Sequence, residues 1–195
     1  MKKKERSVNI PTIEEVENEQ KRLRHRAVYQ RTLRGTIAVL LVVAAVSVLV
    51  ATLWMPVLQI YGSSMSPTLE AGQIVVSVKT NQLKTGEVVA FWQGNKLLVK
   101  RVIAGPGQWV DIDMDGNVTV DGKELTEDYL DVKALGNCDV ELPHQVEESR
   151  WFLMGDNRDV SVDSRSAAIG DVSKDQIEGK IVFRIWPLNK IGSIQ

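Results

Sequence analysis

Two adjacent serines, Ser63 and Ser64, stand in the stretch IYGSSMSPTLEAG at residues 60–72. A serine hydroxyl becomes a useful nucleophile only when a nearby base takes its proton. Of the two histidines in the chain, His25 is separated from the serines by a long uncharged run, and His144 stands alone in an acidic segment. A Ser-His-Asp arrangement through His144 is one candidate chemistry, and a serine activated by a neutral lysine is the other.

Lys100, in the stretch KLLVKRVIAG, has the surroundings that such a lysine needs. If the stretch is a β-strand, alternation places Leu98, Lys100 and Val102 on one face, so both neighbours of the amine on that face are branched and apolar. Burial among such groups lowers the pKa of a lysine from its ordinary value of about 10.4 and makes the neutral amine available near neutral pH. The alternative is an ordinary lysine that reaches solvent from a strand edge.

A polar stretch, MGDNRDVSVDSR at residues 154–165, combines carboxylates, arginines and small hydroxyls. A solvated loop is the ordinary interpretation of such a composition. Charges of both signs interleaved with serines can also orient a buried amine by hydrogen bonds, while Asp–Arg pairs hold the loop in one conformation. The stretch therefore strengthens the interpretation of Lys100 as a base.

The segment DIDMDGNVTVDG, residues 111–122, matches the first half of a calcium-binding loop, but its twelfth position is Gly122 rather than a bidentate glutamate. Its alternation is that of a β-hairpin, with Asp115 and Gly116 as a two-residue turn. Cys138 is the only cysteine in the sequence, and no activating base stands beside it. We expect no cofactor and no metal ion.

A run of twenty-three uncharged residues, 35–57, precedes the serines. As a helix it would rise about 34 Å, enough to cross a hydrocarbon core roughly 30 Å thick. Residues 1–34 hold ten Lys or Arg against five Glu, and basic flanks stay in the cytoplasm. We therefore predict a basic cytoplasmic segment at 1–34, a single-pass membrane anchor at 35–57 and an extracytoplasmic domain at 58–195. A cleavable signal peptide is the alternative, but its apolar core is shorter, about 7–15 residues.

Residues 58–195 contain short stretches rich in Val and Ile that are divided by Gly, Asn or Pro, which is the pattern of β-strands. These stretches are residues 73–79, 87–92, 96–103, 109–114, 117–120, 151–154 and 180–186. Residues 121–150 are acidic and rich in loops, as in an insertion. The predicted fold class is mainly β, with a β-sheet domain behind one N-terminal transmembrane helix.

Three stretches, GSSMSPT, KRVIAGPG and MGDNRDVSVDSR, resemble in order and spacing the motifs of type I signal peptidases. These are membrane-anchored serine proteases that cut signal peptides from exported preproteins. The resemblance runs from the apolar segment to the end of the sequence, where GKIVFRIWPLNKIG is similar to the closing strand of the family. The single anchor and the short insertion resemble the Gram-positive form of the enzyme.

The resemblance implies that Ser64 is the nucleophile and Lys100 the general base, and it leaves Ser63 as a bystander. The backbone N–H of Ser64 is one expected donor to the oxyanion. Gram-negative members add a serine hydroxyl two positions before the nucleophile, where this chain has Gly62, so the second donor stays open.

The same resemblance implies roles for five supporting residues. Ser161 would hydrogen-bond the Lys100 amine, while Asp163 and Arg165 would form one ion pair. Asp156 and Arg101 would form another.

The expected function is that of a membrane-anchored serine endopeptidase that acts on signal-peptide-bearing preproteins at a lipid bilayer, with no nucleic acid as partner. The alternative is a signal-peptidase-like protein of pilus or surface-protein assembly, with narrow or no proteolytic activity. Retention of both Ser64 and Lys100 argues against a non-catalytic role.

Overall fold

The N-terminal part of the protein is one uninterrupted helix, α1, which spans Ile13–Trp54 in the computed structural model. The structure describes residues 12–80 and 82–194, so the first eleven residues of the predicted basic segment, 1–34, lie outside the described residues. Thr12 begins the helix with a capping box, because its N–H donates to Glu15 Oε2 at 2.9 Å while the Glu15 N–H donates to Thr12 Oγ1 at 3.4 Å.

Helix α1 begins well before residues 35–57, the apolar run that we predicted as the membrane anchor. Residues 13–34 carry neither Gly nor Pro and are rich in Glu and Arg, which favour helix, so the helix continues through them without a break. It ends before Pro56, whose ring disfavours a helical conformation at the residue before it. By length and composition α1 can cross a membrane, and its side chains are exposed throughout residues 13–50.

A large antiparallel sheet forms the main body of the second unit, Ala51–Gln195. Its strands, in chain order, are β1 (Val57–Gln59), β2 (Ile74–Val78), β3 (Val88–Gln93), β4 (Lys96–Ala104), β9 (Arg150–Met154), β10 (Val172–Ser173), β11 (Ile177–Trp186) and β12 (Gly192–Ser193). Their spatial order is β1-β2-β11-β3-β4-β9-β10, and β12 pairs with β11. Short 3-10 turns at Lys174–Gln176 and Leu188–Lys190 flank β11.

A smaller antiparallel sheet lies between β4 and β9 in the chain. Its strands are β5 (Trp109–Ile112), β6 (Val118–Val120), β7 (Lys123–Glu124) and β8 (His144–Gln145), in the spatial order β7-β6-β5-β8. The predicted fold class, mainly β behind one N-terminal apolar helix, is confirmed. Every predicted strand corresponds to an observed one, and the strands that we did not predict, β1, β7, β8, β10 and β12, have two or three residues each.

The connection between β5 and β6 differs from the predicted two-residue turn at Asp115 and Gly116. The strands pair from Val110 opposite Val120 to Ile112 opposite Val118, which leaves five residues, 113–117, in the loop. The carboxylate of Asp113 accepts the N–H groups of Asp115 and Asn117 at 2.9 and 2.8 Å. This side chain closes the wider loop, so the tighter turn is not formed.

Strand β4 is the element on which the site is built. Its residues Lys96–Arg101 pair with β3, whereas its pairing with β9 begins only at Arg101 opposite Met154. On that second side, residues 96–100 have no strand partner within the described chain. The loop at residues 155–165 follows β9 and returns to it, because the Ser164 N–H donates to Leu153 O at 3.0 Å and the Leu153 N–H donates to Ser164 Oγ at 2.9 Å.

Candidate active site

The Lys100 amine and the Ser64 hydroxyl lie in direct contact, with Nζ 2.7 Å from Oγ. Lys100 lies opposite Val89 in the middle of the β3–β4 pair, and only 3% of its surface is exposed. The predicted facing of β4 is observed, since Leu98 and Val102 pack in the same apolar cluster. The lysine is therefore a buried side chain of the sheet.

Burial is the main reason why the pKa of Lys100 is lowered to about 8. The negative charges of Asp163 and Asp156 act in the opposite direction, and the positive charge of Arg165 adds to the lowering. A lysine with this pKa holds an appreciable neutral fraction near neutral pH, in which its nitrogen can accept a proton.

The turn that carries Ser64 is fixed at both ends. Buried Met65 and Leu69 anchor it in the apolar cluster beside β1 and β2, and the Leu69 N–H donates to Met65 O at 2.8 Å. The Ser64 carbonyl accepts the Asn157 N–H at 3.1 Å, which ties the turn to the loop at 155–165. Within the described part of the chain the Ser64 N–H donates to no acceptor, so it is available to an oxyanion.

The two arginine–aspartate pairs that the resemblance implies lie around Ser64 and Lys100, called here the Ser64–Lys100 dyad. Arg165 forms a fork on Asp163, with Nε–Oδ1 at 2.9 Å and Nη2–Oδ2 at 2.8 Å, and both side chains are fully buried. Burial opposes ionisation of Asp163, but the hydrogen bonds and charge of Arg165 outweigh it and lower the pKa of Asp163. Arg101 forms a similar fork on Asp156, at 2.9 and 2.7 Å.

Ser161 is buried beside the dyad, but the hydrogen bond to the Lys100 amine that the resemblance implies is not formed in this structure. Its Oγ makes no hydrogen bond of normal geometry with any described residue, and the Lys100 amine contacts Ser64 instead. The hydroxyl is close enough to Asp163 to favour the charged carboxylate. A Cβ at Gly155 would lie 2.2 Å from Ser161 Oγ and 2.5 Å from Ser64 O, so only glycine fits there.

A groove of about 380 Å³ opens at the dyad. Its walls come from β1 and the segment after it on one side and from β3 and β4 on the other, and Ser64 and Lys100 form part of its lining. The other lining residues are Leu58, Gln59, Ile60, Tyr61, Gly62, Met65, Trp92, Asn95, Leu97, Leu98 and Val99. A mostly apolar groove of this size suits small side chains of an extended peptide.

The structure also places the three other residues that the sequence raised, Gly62, His144 and Cys138. Gly62 adopts φ +81° in the groove wall and offers no side-chain donor, so the second oxyanion donor stays open. The Nε2 atom of His144 contacts the Asp171 carboxylate at 3.0 Å, and its ring packs on Phe152. Burial raises the pKa of the Cys138 thiol, which disfavours the reactive thiolate.

Sequence reasoning missed a third buried ion pair, between Glu127 of the insertion and Arg158 of the loop. It also missed Tyr129, whose ring lies beneath the Arg101 guanidinium. In the sequence, the only indication of these contacts was Arg158, an arginine in a short polar loop to which no partner had been assigned.

Comparisons with known proteins agree on one family. The family model described as "Signal peptidase, peptidase S26" matches residues 33–186. A signal peptidase IB from Staphylococcus aureus (strain COL) is 38% identical over 152 residues, covering 67% of this chain and 78% of that protein. A signal peptidase I from Bacillus licheniformis is 33% identical over 170 residues, covering 79% and 88%. A solved signal peptidase I from Enterococcus faecalis V583 is 25% identical with a TM-score of 0.43, covering 52% of this chain and 98% of that one.

Proposed function

This chain belongs to the signal peptidase family of S26 serine peptidases, and we propose that it removes signal peptides from exported preproteins by means of a Ser64–Lys100 dyad. The observation that carries the proposal is the 2.7 Å contact between Ser64 Oγ and a lysine amine that is almost completely buried. The matching proteins are named signal peptidases, which supplies the substrate class.

The proposed reaction begins with neutral Lys100, whose nitrogen takes the proton of the Ser64 hydroxyl as the oxygen attacks the scissile carbonyl. Collapse of the tetrahedral intermediate breaks the C–N bond, and the Lys100 ammonium returns the proton to the leaving amine. Neutral Lys100 then takes a proton from water as its oxygen attacks the acyl carbon. Collapse of the second tetrahedral intermediate breaks the ester C–O bond, and the Lys100 ammonium returns the proton to Ser64 Oγ. The Ser64 N–H stabilises the oxyanion in both steps.

The substrate is proposed to bind as an extended strand in the groove. Residues 96–100 of β4 have an unpaired edge on the β9 side among the described residues, and such an edge can pair with a peptide backbone. Alternate side chains of the peptide then point into the apolar groove. Its limited volume favours small residues, such as the Ala-x-Ala sequence that the family prefers before the cut.

Helix α1 is proposed to anchor the enzyme in the membrane, with the basic N-terminal segment in the cytoplasm and the β domain outside. Lys21, Arg22, Arg24 and Arg26 precede the apolar run, and basic residues are retained on the cytoplasmic side. The exposed apolar side chains of α1 need a non-aqueous environment, which a bilayer supplies.

Cleavage of a preprotein with an Ala-x-Ala site tests the dyad. The full-length protein in detergent should cleave it, whereas Ser64→Ala and Lys100→Ala should each lower the rate by at least about a thousandfold. Ser63→Ala, one residue away, is the matched control and should cleave at the wild-type rate. Cleavage that survives Lys100→Ala would show that another group is the base, and absence of wild-type cleavage on several such substrates would favour a specialised assembly role.

A further inference from the structure

The insertion at residues 121–150 places a carboxylate in the interior of the domain. The Glu127 side chain is fully buried and forms a fork with the equally buried Arg158, with Oε1 contacting Nη2 and Oε2 lying 3.2 Å from Nη1. A charge this deep is tolerated only with a partner and good geometry. Glu127 therefore compensates the charge of Arg158.

Arg158 in turn contacts the backbone that holds Ser64. Its Nε donates to Gly155 O at 3.2 Å, and its own carbonyl accepts Arg165 Nη2 at 2.9 Å. The residue before it, Asn157, donates its N–H to Ser64 O. The position of Arg158 is thereby coupled to the nucleophile through one backbone hydrogen bond.

Tyr129 connects the same carboxylate to the other half of the dyad. Its hydroxyl donates to Glu127 Oε1 at 2.8 Å, and its ring centroid lies 3.8 Å from Arg101 Cζ. Arg101 directly follows Lys100 in β4 and is itself held by Asp156. Burial and the charge of Glu127 raise the pKa of Tyr129, so its hydroxyl remains a donor.

From these contacts we propose that Glu127 and Tyr129 are positioning residues for the Ser64–Lys100 dyad, acting on Ser64 through Arg158 and on Lys100 through Arg101. The inference rests on the proposed function, since it assigns a role in the same reaction. Neither residue lines the substrate groove. Their effect should therefore fall on the chemical step rather than on peptide binding.

The insertion makes further contacts with the loop at 155–165 that agree with this role. Leu135 O accepts Arg165 Nη1 at 2.6 Å, and the N–H groups of Asp139 and Val140 donate to Arg165 O at 3.0 and 3.2 Å. A Cβ at Gly136 would lie 2.3 Å from Arg158 O, so the two segments pack backbone to backbone. The insertion thus contacts the loop at Arg158 and at Arg165.

The first test measures kcat and KM of the full-length protein in detergent with Glu127→Gln and Tyr129→Phe. Glu127→Gln should lower kcat by about ten- to a hundredfold, the loss typical of a small displacement of reacting groups, and leave KM within about twofold. Tyr129→Phe keeps the ring beneath Arg101 and should have a smaller effect in the same direction. Glu124→Gln, in the same insertion, removes the surface pair with Lys133 and is the matched control, for which no change is expected.

A double variant separates positioning from simple stability. Glu127→Leu with Arg158→Met replaces the ion pair by apolar groups, an exchange that is often neutral or favourable for folding. If the pair positions the dyad, the double variant regains the thermal stability of the wild type while kcat stays low. Recovery of both stability and kcat would overturn the proposal.

A chemical readout that needs no preprotein keeps this inference separate from the proposed function. In a Ser64→Cys, Cys138→Ser protein, the rate of alkylation by iodoacetamide against pH reports the thiol pKa, which a neighbouring Lys100 ammonium should hold below about 8.5. Adding Glu127→Gln should raise that pKa as the two groups move apart, while adding Glu124→Gln should not. An unchanged alkylation profile would overturn the positioning role, whether or not the wild-type protein cleaves any preprotein tested.

Discussion

At the scale of single residues, the proposed chemistry depends on Lys100, whose pKa is lowered from the ordinary value of a lysine. The apolar neighbours of Lys100 on β4 remove the solvent that would stabilise an ammonium, and the fixed charges of Asp163 and Arg165 act on it with opposite signs. Because Arg165 is paired with Asp163, the charge of this carboxylate is partly neutralised and does not restore the charged amine fully. The lowered pKa of Lys100 is thus a property of the whole buried cluster.

The lowered pKa of Lys100 predicts how the rate of cleavage depends on pH. Only neutral Lys100 can accept the serine proton, so kcat/KM should fall about tenfold per pH unit below an apparent pKa near 8 and level off above it. Asp163→Asn removes a negative charge that favours the ammonium, so the acid limb should move to lower pH, even if the plateau drops. The profile of kcat/KM against pH measures both effects.

The exposed neighbour Asp159 supplies the control for this profile. It lies in the same loop but is not among the charges that shift the pKa of Lys100, so Asp159→Asn should leave the acid limb in place. A limb that moves to higher pH in Asp163→Asn, or does not move at all, would mean that a group other than Lys100 controls the rate.

The two Arg–Asp pairs that the resemblance implied, Arg165 with Asp163 and Arg101 with Asp156, are present in the structure, whereas the implied hydrogen bond between Ser161 and Lys100 is not. Alternation alone predicted the face of Lys100, since the period of a strand is two residues. The Glu127–Arg158 contact spans 31 positions and joins an irregular segment to a loop. Neither segment has a periodicity that would indicate which of their residues lie in contact. The Ser161 hydroxyl shows the same limit, because a hydroxyl in a loop can rotate or shift to several partners.

At the scale of elements, the loop at 155–165 begins at a residue whose surroundings leave no room for a side chain. Gly155 follows β9 directly, and its N–H donates to Asp163 Oδ2 at 2.9 Å. Its Cα lies against Ser161 and the Ser64 carbonyl, which brings the loop within hydrogen-bonding distance of the serine turn. A glycine is needed here for close approach rather than for an unusual backbone angle.

Gly155→Ala should therefore abolish most of the cleavage activity. The added methyl group would meet Ser161 Oγ at 2.2 Å and Ser64 O at 2.5 Å, so the loop or the serine turn must move, and a displacement near 1 Å can cost about a hundredfold in rate. Activity per folded molecule, measured beside thermal unfolding, checks this outcome.

Gly105→Ala is the matched control for that substitution. A Cβ at Gly105 would meet its nearest neighbours at 3.6 Å or more, which is ordinary van der Waals contact. This variant should keep both stability and activity near wild type. Equal activity of the two alanine variants would show that the close approach at Gly155 is not required.

Longer elements were predictable and shorter ones were not, for a physical reason. Strands such as β3, β4 and β11 carry enough Val, Ile and aromatic residues to show their pattern. Strands β7, β8 and β10 have two residues each and exist because neighbouring strands supply their partners. The β5–β6 loop likewise depends on Asp113 accepting backbone N–H groups, a choice that the Asp-Gly pair alone does not show.

At the scale of the whole molecule, the chain combines a helix that contains a long exposed apolar run with a second compact unit, the β domain. In helix α1, side chains such as Leu40 and Leu41 are 62% and 66% exposed, which water does not favour. The dyad, its loop, the insertion and the groove all belong to the second unit, Ala51–Gln195. The chemistry and the membrane attachment are therefore expected to be separable.

Removing residues 1–54 tests this separation. The truncated protein should cleave a short soluble Ala-x-Ala peptide with a kcat/KM close to that of the full-length enzyme, because the Ser64–Lys100 contact and the groove both remain. With a preprotein embedded in lipid vesicles its rate should fall by roughly ten- to a hundredfold, since a shared membrane raises the effective concentration of enzyme at the substrate. Fusing an unrelated transmembrane helix before residue 55 should restore the rate on vesicles.

Two outcomes would contradict this separation. If the truncated protein cleaves both substrates as well as the full-length enzyme, helix α1 contributes nothing to catalysis through attachment. If the unrelated helix does not restore the rate, α1 itself must contact the substrate.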